Sequence, residues 1–147
     1  MLDLGLAVAH HVLVFGLTIM LAMELAMLRG EKIDVARLAR LDAGYGLTAA
    51  LVVAVGVARV IWGAKGWVAY QDNPAFWAKM ALFLAIGLIS ILPTLTFLRW
   101  SRAAKADPDF QPLPRERMGA TLWVRIEVGL LILLAVLAAT MARWPLS

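Results

Sequence analysis

The only two histidines of this chain, His10 and His11, are adjacent and lie about two turns inside a strongly apolar segment. Placing an imidazole at membrane depth costs free energy, so ionisable side chains found there are candidates for functional sites. Neutral imidazole is also a good ligand for iron and for other transition metals. The pair is therefore the first candidate for a site that does chemistry.

Two further basic residues, Arg59 and Lys79, lie at a similar depth in two other apolar segments. With a helical rise of about 1.5 Å per residue, the histidines lie about 9–10 Å below the outer end of their helix. Arg59 and Lys79 are near enough to the surface for their long stems to reach the headgroups, but histidine has no such stem. Each of these side chains lies on a polar face of its helix, and polar faces usually point into the bundle. We therefore predict that they converge in one layer.

Haem b fits this set of side chains best. Its iron accepts an imidazole from His10 or His11, and Arg59 and Lys79 would bind its propionates or steer an anionic substrate. Adjacent residues point about 100° apart around a helix, so at most one of the two histidines ligates a given iron within one chain. A redox role on a porphyrinogen, a quinol or a reactive oxygen species would follow, with Lys79 and Arg59 as the catalytic residues.

The second axial ligand of such a haem has several possible sources. Met80 lies at a similar depth to the histidines, and Met141 lies near the outer end of the last apolar segment. A neutral Lys79 is a less usual ligand, and a homo-oligomer would supply a histidine from another copy.

Two other classes of function use the same residues. A small anion or solute carrier would bind its cargo in the basic layer, and a non-catalytic assembly or scaffold subunit would turn its polar faces toward partner helices. Zinc and copper sites usually need three or four converging ligands, and only the histidine pair is evident. The substrate is not identified by the sequence.

The composition identifies the elements that must hold these residues. The chain has 147 residues, of which 63% are hydrophobic, and a mean hydropathy of +0.82. These values are typical of a membrane protein. Crossing a bilayer takes about 20 apolar residues. Four segments meet that length, at 4–28, 43–62, 76–98 and 121–142. We therefore predict an all-α integral membrane protein that is a four-helix bundle. The bundle forms a single membrane domain over residues 1–147.

The distribution of charge predicts the topology. Basic residues concentrate in the connections 29–42 and 99–120, so the positive-inside rule places both connections in the cytoplasm. Both termini then lie on the outer, periplasmic side of a bacterial inner membrane. Tryptophans fall at predicted helix ends, as expected for side chains that collect at membrane interfaces. The net charge of +4 follows these connections, so the lipid bilayer is the expected partner and nucleic acid is not.

A second group of ionisable residues lies near the predicted cytoplasmic ends of the helices. It combines three carboxylates, Glu24, Asp42 and Glu127, with the guanidinium of Arg125. Because both signs of charge are present, we predict that these residues pair with one another and have a structural role.

Several motifs resemble a bacterial family of predicted inner-membrane proteins, domain of unknown function 2214, over nearly the whole chain. The resemblance implies a membrane protein and supplies no activity. The matching motifs are Leu41–Gly46, Arg59-Val60, Asn73-Pro74 and Gly87–Thr94.

A weaker resemblance is to the HemJ-type protoporphyrinogen oxidases, which are small membrane bundles. It rests on the segment Trp77–Met80 and on the position of the histidines. The resemblance implies that His10 or His11 is associated with haem and that Lys79 is important for activity. The chain lacks the tryptophan and the later histidine that this family carries in its first and third helices.

Overall fold

The architecture is all-helical in a computed structural model that describes residues 2–62 and 67–143. Within those ranges no strand occurs, and four helices are long and apolar enough to cross a membrane. The prediction of an all-α protein with four spanning helices is thereby confirmed. The helices are α1 (Leu2–Arg29), α2 (Val35–Trp62), the short α3 (Val68–Gln71), α4 (Pro74–Ala106) and α5 (Pro114–Arg143).

The helices are longer than the apolar segments that predicted them. The connections predicted at 29–42 and 99–120 shrink to 30–34 and 107–113. Hydropathy marks only the part of a helix that crosses hydrocarbon, and capping groups extend the helix beyond it. The Asp34 carboxylate caps α2 by accepting from the backbone N–H of Arg37 at 2.9 Å. Pro114, which lies within the predicted connection 99–120, is the first residue of α5, a position that proline favours.

The four long helices form an antiparallel bundle in which each helix packs against two others. α1 and α4 each contact both α2 and α5. We call the end that holds connections 30–34 and 107–113 the loop end. The opposite end, where α1 and α4 begin and α2 and α5 finish, we call the termini end. The start of α4 is fixed there by Asn73, whose side chain accepts from the Ala75 N–H at 2.9 Å, and by Pro74 at its first position.

The loop end is tied together by polar contacts between connections and helices. Gln111 and Ile33 exchange two hydrogen bonds, of 3.0 and 3.2 Å. The Arg117 guanidinium donates to the backbone carbonyls of Leu28, at 2.6 Å, and of Gly30. These carbonyls end α1 and would otherwise lack donors, so Arg117 acts as a side-chain cap across the bundle.

The largest core side chain also lies in this half of the bundle. The Trp100 indole is 1% exposed and stacks at a tilt against the fully buried Phe97, with ring centroids 5.8 Å apart. Tryptophans near helix ends were expected to face the membrane interface, and Trp100, which lies near the end of α4, instead faces the core. A Trp near a helix end satisfies the same sequence pattern whether it faces lipid or the bundle, and only packing separates the two.

Candidate functional site

Three basic side chains from three helices line one cavity at the termini end. His10 comes from α1, Arg59 from α2 and Lys79 from α4, and the cavity has a volume of about 290 Å³. We call it the basic pocket. Of the four side chains that were expected to share one layer, the structure brings these three together around the cavity.

A glycine on the facing helix makes room for His10. A Cβ built on Gly56 would lie 3.6 Å from the imidazole Cε1, so a side chain larger than methyl would press on the ring. His10 Nδ1 is buried without a hydrogen-bond partner, and the imidazole also interacts with the backbone carbonyl of Val52. A ring that donates from one nitrogen to a carbonyl keeps a lone pair on the other, which is the state that a ligand or a metal requires.

The adjacent His11 points away from the basic pocket. Its side chain is exposed, and its Nδ1 lies 2.7 Å from the Ala7 carbonyl of the preceding turn. The two imidazole rings are 6.2 Å apart and nearly perpendicular, at 84°. The pair therefore divides into one residue that lines the pocket and one that faces outward.

The ionisable side chains that line the basic pocket are all basic. Arg59 and Lys79 are close enough for their positive charges to repel each other, and His10 lies within range of both. In the part of the chain that the structure describes, no carboxylate lies within salt-bridge distance of Arg59 or Lys79. Arg59 Nε is buried and has no hydrogen-bond partner. Like charges in a medium of low dielectric destabilise the bundle unless an anion compensates them.

The rest of the pocket is apolar and reaches the lipid-facing surface. Val53 and Val57 of α2 and Met80 of α4 line it and are each about half exposed. On the other side Thr18 of α1 and Ala138 of α5 line it and are also exposed. The side chain of Met141, the other thioether considered as an iron ligand, lies outside the described residues. The pocket thus has a charged part, formed by Arg59 and Lys79, and an apolar part that opens between the helices toward the lipid.

Three buried carboxyl groups lie in the loop half of the bundle. Glu24 of α1 and Glu127 of α5 are each 1% exposed, and Asp42 of α2 is 5% exposed. We call these three the acidic cluster. Arg125 is exposed instead, on the other side of α5, so the predicted pairing of Arg125 with these carboxylates is wrong. Residues 125 and 127 are 200° apart around a helix, and only one of them can face the core.

A model of a protein family described as "Predicted membrane protein (DUF2214)" matches residues 2–144. The chain belongs to this family. Neither a curated protein nor a solved structure is significantly similar to it. The resemblance to the HemJ-type enzymes stays a prediction. DUF2214 membership agrees with the four spanning helices and adds no substrate.

The described residues of this DUF2214 protein contain no group of three or more His, Cys, Asp or Glu side chains arranged to hold a metal ion. Haem b makes a smaller demand, because the protein supplies at most two ligands to its iron. His10 and Met80 are residue types that haem iron accepts, and both line the basic pocket together with Arg59 and Lys79. The volume of about 290 Å³ is at the lower limit of roughly 300–1,000 Å³ for ligand pockets. A macrocycle bound here would extend through the lipid-facing openings.

The contribution of Gly56 was missed by sequence reasoning, and so were the hydroxyl partners of the acidic cluster. Thr94 of α4 donates to Asp42 Oδ1 at 3.0 Å, and Tyr45 of α2 lies within hydrogen-bonding reach of Glu127. Asp42 and Tyr45 are three residues apart on α2, a spacing that puts them on one face. The sequence could therefore have predicted that Asp42 and Tyr45 of this DUF2214 protein lie side by side. The contact between Asp42 and Thr94 could not be predicted in this way, because it depends on how α2 packs against α4.

Proposed function

We propose that this membrane protein binds an amphipathic organic anion in the basic pocket. The observation that carries the proposal is the meeting of His10, Arg59 and Lys79 around one cavity with no carboxylate within salt-bridge distance of Arg59 or Lys79 in the described chain. A carboxylate, sulfonate or phosphate group would offset the repulsion between the Arg59 and Lys79 cations and could accept a hydrogen bond from each. The openings between helices suit an apolar body that stays in contact with lipid.

The first test uses probes of one chain length and different headgroups. Purified protein in lipid nanodiscs is titrated with dodecanoate, dodecanol and dodecylamine while thermal unfolding is followed by tryptophan fluorescence. A ligand that binds only the folded state raises the unfolding temperature with its concentration. We expect dodecanoate to raise it, dodecanol to have little effect and dodecylamine to have none. Equal shifts with dodecanoate and dodecanol would contradict an anion site.

Haem b is the specific anion that a second observation favours. His10 lines the pocket and its Nδ1 has no hydrogen-bond partner, so this imidazole is the candidate iron ligand. When bound, haem supplies one-electron and oxygen chemistry, while the protein holds it by His10, Arg59 and Lys79. The outward-facing His11 would reach such an iron only from a second copy of the chain, as in the predicted homo-oligomer. The redox role on a porphyrinogen, quinol or reactive oxygen species depends on haem being bound.

Protein purified from haem-replete cells should then show a Soret absorption band. His10→Ala should remove the band, and His11→Ala, the matched control on the exposed face, should keep it. Loss of the band in both single variants would mean that each histidine binds iron, which points to a site shared between copies. A colourless preparation of the wild-type protein would contradict haem binding and would leave the dodecanoate result as the test of the anion site.

We also propose that the protein resides in a bacterial inner membrane with both termini on the outer side. The chain has no cysteine, so a single introduced cysteine reports its own accessibility. In spheroplasts a membrane-impermeant maleimide should label Asp72→Cys, next to α4 at the termini end. It should leave Asp109→Cys at the loop end unlabelled. The reverse pattern would invert the topology.

A further inference from the structure

The acidic cluster is built from facing residues of several helices. Glu24 projects from α1, Asp42 and Tyr45 from α2, and Glu127 from α5, and the charges of the three carboxyl groups act on one another. The contact from α4 is the hydroxyl of Thr94. The cluster is therefore a meeting point of all four long helices. It lies about 21 Å along the bundle from the basic pocket, since Glu24 is fourteen residues beyond His10 on the same face of α1.

Donors are unevenly distributed over these carboxyl groups. Asp42 accepts from Thr94, and Glu127 lies in reach of the Tyr45 phenol. One oxygen of Glu127 and Oε1 of Glu24 are buried and have no hydrogen-bond partner. Within the described chain no Lys, Arg or His lies within salt-bridge distance of the cluster. Unpaired carboxylates buried in an apolar interior cost several kcal/mol each, and buried groups usually become neutral instead.

A bound proton neutralises these buried carboxylates better than a metal ion does. Calcium and magnesium require six or more oxygen ligands at short distances, and no three acidic side chains of the described residues are arranged to hold a metal. A proton needs only one carboxyl oxygen, and it turns that oxygen into a donor for a neighbouring acceptor. Carboxyl groups that share a site keep protons because two like charges at short range repel.

We propose that Glu24, Asp42 and Glu127 form a membrane-buried proton-binding site in which Glu24 holds a proton at neutral pH. Glu24 takes that role because Asp42 and Glu127 each have a hydroxyl group within hydrogen-bonding reach. The hydroxyl groups of Thr94 and Tyr45 stabilise negative charge on Asp42 and Glu127. Carboxyl groups inside a membrane commonly mark proton relays, and the cluster places such a group between all four helices. This inference does not depend on what the basic pocket binds.

Infrared spectroscopy of the protein in nanodiscs tests the proposal, because the carbonyl stretch of a protonated carboxyl is resolved from the carboxylate bands. At pH 7 we expect a protonated-carboxyl band in the wild type that is reduced in Glu24→Gln. Glu116→Gln is the matched control, since Glu116 lies outside the cluster and forms a salt bridge with the exposed Arg99 at 2.6 Å. The band should be unchanged in that variant and should decline as the pH is raised.

A second measurement needs no variant. Unfolding the wild-type protein at pH 7 in weakly buffered solution should release at least one proton, because carboxyl groups in water are ionised at that pH. Absence of the infrared band at pH 7, or no proton release on unfolding, would overturn the proposal. So would a band that disappears on adding sodium at constant pH, since a metal cation would then occupy the cluster.

Discussion

Replacing Arg59 and Lys79 together by glutamine is expected to weaken dodecanoate binding by at least about 100-fold. Each cation gives the bound carboxylate a charge-assisted hydrogen bond of about 1.5–3 kcal/mol, and about 1.4 kcal/mol corresponds to a factor of ten in affinity. Binding is measured by the ligand dependence of thermal unfolding in nanodiscs. Each single variant should show an intermediate loss.

The control for that experiment removes the same charge elsewhere. Arg102 and Lys105 are exposed in the last turns of α4, at the loop end, and Arg102→Gln with Lys105→Gln lowers the net charge equally. Dodecanoate binding should survive in this control. A similar loss in both double variants would mean that dodecanoate responds to the overall charge of the protein and not to the basic pocket.

The substitution of Arg59 and Lys79 has a second expected effect, on the stability of the protein without ligand. Without ligand, Arg59→Gln with Lys79→Gln should unfold at a temperature no lower than that of the wild type, because it removes cations that repel one another in a partly buried site. Residues kept for binding often reduce stability, whereas residues kept for folding increase it. A strong destabilisation would assign these side chains a structural role.

The largest loss of stability is expected at the loop end, in Trp100→Ala. Trp100 is 1% exposed and contacts Phe97, and truncating a buried Trp costs about 3–5 kcal/mol in the free energy of unfolding. Trp100→Phe should lose much less, because it keeps most of the ring volume and because the indole Nε1 has no hydrogen-bond partner to lose. Unfolding in detergent micelles by added denaturant measures all of these variants.

Trp123→Ala is the matched control for that substitution. Trp123 is 36% exposed on α5, and its removal leaves a smaller gap in the packing. Its free energy of unfolding should fall by clearly less than that of Trp100→Ala. Equal losses would contradict the assignment of Trp100 to the core and would favour the interfacial position that its sequence context suggested.

The basic pocket was accessible to sequence reasoning because it depends on regular helices. The depth of His10, Arg59 and Lys79 follows from counting residues along α1, α2 and α4, and their orientation follows from the polar faces. The division between His10 and His11 follows from the 100° step around the helix. The opening toward lipid was not predictable, since it depends on how far the helix pairs separate at the termini end.

Other features depended on contacts that no single helix encodes. The helices α2 and α5 start at Val35 and Pro114, before the apolar segments begin, because Asp34 and Pro114 favour a helix start there. Hydropathy therefore predicted starts that lie too late in the chain. Arg125 was paired with the acidic cluster because charge and depth agreed, although its direction on α5 did not. The link between Thr94 and Asp42 joins residues 52 positions apart and became visible only when α2 packed on α4.

The most direct measurement is the position at which an amphipathic anion binds. A dodecanoate analogue with a diazirine on its chain is photo-crosslinked to the protein in nanodiscs, and the modified residues are mapped by mass spectrometry. Labels should concentrate on residues that line the basic pocket, such as Val57 and Met80, and unmodified dodecanoate should displace them while dodecanol should not. Labels spread evenly over the lipid-facing surface, or unaffected by dodecanoate, would contradict an anion site between these helices.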